Sequence, residues 1–123
     1  MEHKYKLVYF NSRDMLLRIP VSQIVYFEAD GNYTNIVTTN KLKACLCMNL
    51  GHTEQALAMQ LGEHAHMFMR IGKSAIVNMR YICKVDIAKQ QLLLSDFQHF
   101  TYSVPASKEA LKSVKELIIL NKI

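Results

Sequence analysis

Residues 24–38 read IVYFEADGNYTNIVT, and the rest of the chain can be arranged around them. From Ile24 to Ala29 the β-branched and aromatic residues leave neither face polar, which predicts a strand buried on both sides. Asp30, Gly31 and Asn32 are the strongest turn signal in the chain, because Gly and Asn accept the positive φ angles of a tight reversal. The return strand follows the period of two, with Tyr33, Asn35 and Val37 on one face and Thr34, Ile36 and Thr38 on the other. A hairpin is therefore expected here.

Working outward, Tyr5 to Ile19 reads as two strands joined by a polar turn at Asn11, Ser12, Arg13 and Asp14, with Pro20 ending the second. Val21 to Gln23 make a short connection. After the hairpin, a turn at Asn40 and Lys41 leads into alternation of Leu42, Ala44, Leu46 and Met48 with Lys41, Lys43, Cys45 and Cys47, so one face is apolar and the other carries lysines and thiols. Asn49 is the expected N-cap of a helix marked by Leu50, Leu57 and Leu61, and Gly62 its left-handed stop.

The second decisive stretch is FMRIGKSAIVN, residues 68–78. After a loop at Glu63 to His66, Met67 to Ile71 reads as a strand, whereas Ser74 to Arg80 is open between extended chain and a single helical turn near Asn78. Tyr81, Cys83, Val85 and Ile87 alternate with Ile82, Lys84 and Asp86. Leu92 to Leu94 and Thr101 to Val104 then complete two hairpins around Ala88–Lys89 and Asp96–Gln98. Pro105 closes the sheet, Ser107 can cap, and Leu111, Val114, Leu117 and Ile118 form the buried stripe of a C-terminal helix. The class is mainly β: stacked antiparallel sheets with one internal helix and one C-terminal helix.

Composition narrows the function. At 123 residues the chain is expected to be a single domain, 1–123, burying on the order of 65% of its unfolded surface. The longest aliphatic run, Leu117 to Leu120, is far short of the roughly 20 apolar residues a spanning helix needs. Met1, Glu2, His3 and Lys4 carry no apolar signal segment, so the cytoplasm is the expected compartment, with reduced thiols at Cys45, Cys47 and Cys83. A formal charge of +5 favours a polyanionic partner.

The ordered motifs resemble the LytTR DNA-binding domain of bacterial transcription regulators. The apolar strand ending in Glu, its turn and the following Asn-Tyr stand here as Ile24, Tyr26, Glu28, Ala29, Asn32 and Tyr33. The start of the internal helix is represented by Asn49 and Leu50, the Phe-x-Arg block by Phe68 and Arg70, and its continuation by Ser74, Val77 and Asn78. Pro105, Ser107 and Lys108 match the start of the last helix. Two departures stand out. Gly72 and Lys73 replace the family's common His and Arg, and Lys108 stands where Arg is usual, keeping the charge without the bidentate fork that reads guanine.

The resemblance implies loops, rather than a recognition helix, set into successive major grooves of double-stranded DNA at paired direct-repeat sites. It implies no catalytic residue, cofactor or metal, and a homodimer on DNA. It also implies a receiver domain or sensor kinase as partner where the domain belongs to a longer two-component response regulator. Three places would face the DNA: Thr34 and Asn35, Lys73 and Ser74, and Lys108. Their chemistry is compatible with that. Asn35 offers a donor and an acceptor to an adenine edge, and Thr34 a hydroxyl and a methyl to thymine. Lys73 with Ser74, and Lys108 with Lys112 near a helix N-terminus, suit phosphate. Arg70 and Arg80 add general attraction.

Ordinary readings compete at each position. Thr34 and Asn35 alone are unremarkable strand residues, the lysines are by default solvated, Glu28 caps or pairs within the fold, and Asn78 hydrogen-bonds backbone. Cys45 and Cys47, with His52, His64 and His66 along the chain, raise zinc, but Cys-x-Cys here lacks the second ligand pair of a zinc finger. The alternative function is a non-catalytic β-barrel module binding a protein or small ligand. It is separated from the first by whether Thr34, Lys73 and Lys108 converge on one exposed surface.

Overall fold

The expected hairpin is the centre of the molecule. In a computed structural model, which describes residues 6–121, Ile24–Asp30 (β3) pairs with Tyr33–Thr38 (β4), Glu28 opposite Asn35 and Asp30 opposite Tyr33. Gly31 turns the chain at φ 62°. Ile24, Val25, Tyr26 and Phe27 are all buried, the two-sided burial their lack of polar alternation predicts.

β3 reaches this state because it lies in the middle of a five-stranded antiparallel sheet. On one side are β4 and Lys43–Leu46 (β5); on the other are Ala75–Asn78 (β7) and Phe68–Ile71 (β6). Phe27 faces Ile36 and Ile76 across the sheet, and Tyr26 faces Val37 and Val77. Successive residues point to opposite faces, so the sheet divides the interior into two cores. The Phe27 face packs against Leu50–Leu61 (α1) and a two-stranded ribbon, Leu7–Asn11 (β1) with Leu16–Pro20 (β2). Phe10 and Phe68 each meet the Phe27 ring edge-on at 5.7 and 5.8 Å, the favoured aromatic geometry. The Tyr26 face packs against a three-stranded meander, Ile82–Asp86 (β8), Gln91–Ser95 (β9) and Thr101–Pro105 (β10), and against Lys108–Asn121 (α2).

The architecture is therefore the expected one, three antiparallel sheets with an internal and a C-terminal helix. The internal helix begins at the Asn49 cap, whose side chain accepts from the His52 N–H, and stops at Gly62. Four local readings change. Residues 62–67 wind into a 3-10 helix instead of a loop. The open stretch after Ser74 resolves into β7 followed by a 3-10 turn at Met79–Tyr81. In β8 the pairing skips from Ile82 to Lys84, a bulge that breaks strict alternation, so Tyr81 and Ile82 both pack on the core. On α2, Leu111 and Val114 are buried and Ile118 half-buried, but Leu117 is exposed. The expected start of the first strand, Tyr5, lies outside the described residues. Among those residues, no helix is long and apolar enough to cross a membrane.

Asn78 shows how the C-terminal end of β7 is tied to the start of β3. Its amide is fully buried, donates to the Ile24 carbonyl at 2.8 Å and accepts from the Arg80 N–H at 3.0 Å. This is the backbone-bonding role expected of it, but across 54 residues of chain.

Candidate nucleic-acid interface

Three turns distant in sequence meet at one end of the central sheet. Glu28 pairs with Asn35 on one side and Ala75 on the other, and the Ala29 N–H donates to the Ser74 carbonyl at 2.8 Å. These contacts fix the Gly72–Ser74 turn beside the β3–β4 hairpin. Gly72 makes that turn possible at φ 57°, a conformation most side chains resist. The third element is the start of α2. Ser107 caps it by accepting from the Ala110 N–H at 3.1 Å, and Ala106, Ser107 and Ala110 share a shallow cavity of about 290 Å³ with Gly72, Lys73 and Ser74.

Lys73, Ser74 and Lys108 are consequently exposed on one edge, with Lys112 exposed one turn further along α2. Asn35 is half-buried in the adjoining row, its amide reaching the Asp30 carboxylate at 3.4 Å. Lysines on short rigid turns beside a helix N-terminus can hold phosphates, and a neighbouring amide can meet a base edge.

Two expected site residues are placed elsewhere. Thr34 is 0% exposed. By the period of two it turns toward the α1 side of the sheet, where its hydroxyl donates to the Met48 carbonyl at 2.9 Å; it holds the chain after β5 against β4 and cannot reach a base. Arg70 points to that same side. Its guanidinium donates from Nη1 to Glu54 of α1 at 2.8 Å and from Nε to the Gly72 carbonyl at 2.9 Å. Only a third of the side chain is exposed, so Arg70 braces the Gly72–Ser74 turn from behind. Glu28, expected to pair within the fold, is exposed and makes no side-chain hydrogen bond or ion pair among the described residues.

Sequence reading missed Lys89. The Ala106 N–H donates to the Gln90 carbonyl at 3.2 Å, which brings the β8–β9 turn up to the start of α2 and leaves Lys89 exposed beside the same edge. Its N–H donates to the Asp86 side chain at 3.0 Å. That bond is the main reason the Asp86 carboxyl sits below its ordinary range, with Lys84 adding to it. Lys89 was legible as a turn residue; its nearness to α2 is not local information.

The cysteines and histidines do not form a comparable centre. Cys45 and Cys47 are exposed free thiols, and among the described residues no group of three His, Cys, Asp or Glu side chains is arranged to hold a metal.

A family model described as the LytTr DNA-binding domain matches residues 14–119, a span that contains the central sheet, both helix starts and the Gly72–Ser74 turn. The chain belongs to the LytTR family. Among solved structures, the LytTR domain of a protein described as a DNA response regulator from Bacillus cereus shares its fold. That similarity has a TM-score of 0.63 at 23% identity, covering 91% of this chain and 95% of the other. A comparison with curated protein sequences finds no match. LytTR domains bind DNA in transcription regulation.

Proposed function

We propose that the chain binds specific double-stranded DNA to regulate transcription, presenting the edge formed by the Gly72–Ser74 turn, the β3–β4 hairpin and the start of α2 to the major groove. The observation that carries this reading is the convergence of Lys73, Ser74 and Lys108, from turns far apart in sequence, on one exposed edge. Lys73, Lys89 and Lys112 hold phosphates and set register, while Asn35 and Lys108 read base edges. The domain acts by binding rather than by catalysis. Two protomers occupy direct repeats whose centres are roughly 10 base pairs apart, one helical turn, so that both edges face the same side of the duplex. A receiver domain or sensor kinase supplies control where the domain forms part of a longer regulator.

Selection of duplexes from a random library, followed by titration of the selected and scrambled duplexes across a salt series, tests this directly. The expected result is a repeated motif bound at least about 10³-fold more tightly than the scrambled duplex. Equal, steeply salt-dependent binding of both would reduce the edge to a basic surface and defeat the claim of specificity.

A further inference from the structure

At the end of the sheet away from the Gly72–Ser74 turn, two side chains stand on backbone that normally calls for glycine. β4 runs from Tyr33, beside that turn, to Thr38 and on to Lys41, whose φ is 67°; β10 runs from Thr101 toward the start of α2, so the loop before it, with Phe97 at φ 65°, lies at the far end. The two loops meet. They border adjoining grooves of about 520 and 580 Å³ that share Lys41 and His99.

Phe97 is 82% exposed, and an aromatic residue at positive φ is an outlier. The loop is nonetheless tightly held. Asp96 Oδ1 accepts from the N–H groups of Gln98, His99 and Phe100 at 2.9, 2.7 and 3.2 Å. Ser95 Oγ accepts from the Phe97 N–H at 2.9 Å and donates to the Phe100 carbonyl at 2.6 Å. Folding gains nothing from a ring presented to water in an unfavourable conformation, so the observed strain points to a use outside the fold.

The charges around the ring indicate what it meets. Lys41 is exposed, and the exposed Arg80 guanidinium sits 5.9 Å above the Tyr81 ring that lines the groove; neither makes an ion pair among the described residues. The acid present, Asp96, is already engaged by the loop's own N–H groups and by His99 Nδ1 at 2.8 Å. The surface is an exposed aromatic ring that shares its groove with Lys41, with Arg80 over the Tyr81 ring of the adjoining groove, and neither cation has a carboxylate partner among the described residues.

We propose that this end docks an acidic protein segment carrying an apolar side chain, which seats against Phe97 while its carboxylates reach Lys41 and Arg80. A preorganised aromatic anchor supplies contact at low entropic cost, and the complementary charges select the partner. The proposal does not depend on DNA recognition at the opposite edge.

The test is titration of the isotope-labelled chain with two synthetic peptides, leucines spaced by glutamates and the same peptide with glutamines. The acidic peptide should shift the backbone signals of Lys41, Tyr81 and residues 96–100 saturably, and the glutamine peptide far less. Phe97→Gly should raise the melting temperature yet weaken the acidic peptide about tenfold or more. Lys41→Asn, which accepts the same backbone, should also weaken it. Shifts confined to residues 72–74 and 108–112, equal binding of both peptides, or unaltered binding by Phe97→Gly would each overturn the proposal. So would a short duplex that shifts residues 96–100, which would assign this end to nucleic acid.

Discussion

The two ends of the central sheet solve one backbone problem differently. At the edge proposed to meet DNA, the tight turns of β3–β4 and β6–β7 use Gly31 and Gly72, at φ 62° and 57°, with open space where a Cβ would stand. At the far end, Lys41 and Phe97 adopt the same region with side chains attached, as Gln90 does, at φ 53°, in the β8–β9 turn beside the DNA edge. A glycine turn costs the folded state no strain, so its neighbours are free to be chosen for contact. A strained turn must be held by its surroundings, and the hydrogen bonds converging on Asp96 and Ser95 do that. The lesson is that rigidity at a surface can come from backbone permissiveness or from side-chain wiring, and the two respond differently to substitution.

The largest effect is expected in the core beneath the far end rather than on either surface. Asn78 joins β7 to β3 through a fully buried amide, and Asn78→Ala leaves the Ile24 carbonyl and the Arg80 N–H without that partner. A loss of about 2–3 kcal/mol in denaturant unfolding is expected, since unsatisfied buried polar groups carry their full desolvation cost. A change below about 0.5 kcal/mol would mean that the two strands are held by packing alone.

At the DNA edge, Lys108 and Lys112 lie one helical turn apart on α2 but should differ in kind. Lys108→Ala should lose about 1–3 kcal/mol of preference for the selected duplex over a scrambled one, whereas Lys112→Ala should weaken both alike and reduce the salt slope by about one. Parallel losses in both variants would remove the division between reading and holding.

The turn comparison is sharpened by substituting Gly72. Gly72→Ala meets no atom within 4 Å, so its expected cost, about 1 kcal/mol, is purely conformational. The Arg70 brace on the Gly72 carbonyl should transmit that strain to Lys73 and lower DNA affinity beyond the stability change. Unfolding midpoints and duplex titration measured on the same preparation separate the two.

The hairpin at the centre was legible because its signals are local: a doubly apolar strand, a Gly-containing turn and a strict alternation. The insertion of β7 between β3 and β6 was not, since Ala75–Asn78 is four residues of ambiguous character whose strand state depends on neighbours far along the chain. The same limit governs the site. Alternation correctly separated Thr34 from Asn35, but which face meets water is decided by Met48, 14 residues away. Arg70 looked like a free cation because Glu54 and the Gly72 carbonyl become its partners only once α1 lies on the sheet. Lys73 and Lys108 could be placed because turns and helix starts are exposed in almost any packing.

The smallest effect concerns the carboxylates that hold a loop at each end. Desolvation alone would push the Asp96 carboxyl up, but the N–H groups of Gln98, His99 and Phe100, with the His99 ring, hold it far below its ordinary range. At the other end the Lys89 N–H lowers Asp86 in the same direction. A carboxyl depressed in the folded state stabilises above its unfolded pKa of about 3.9 and loses that contribution as pH falls toward its folded value. The melting temperature of the parent chain should therefore exceed that of Asp96→Asn at about pH 5, and the margin should shrink below about pH 4. Asp86→Asn should show the same sign with a smaller amplitude. A margin that widens on acidification would mean that the Asp96 loop is held by its neutral contacts, and that the rigidity presenting Phe97 does not come from the carboxylate.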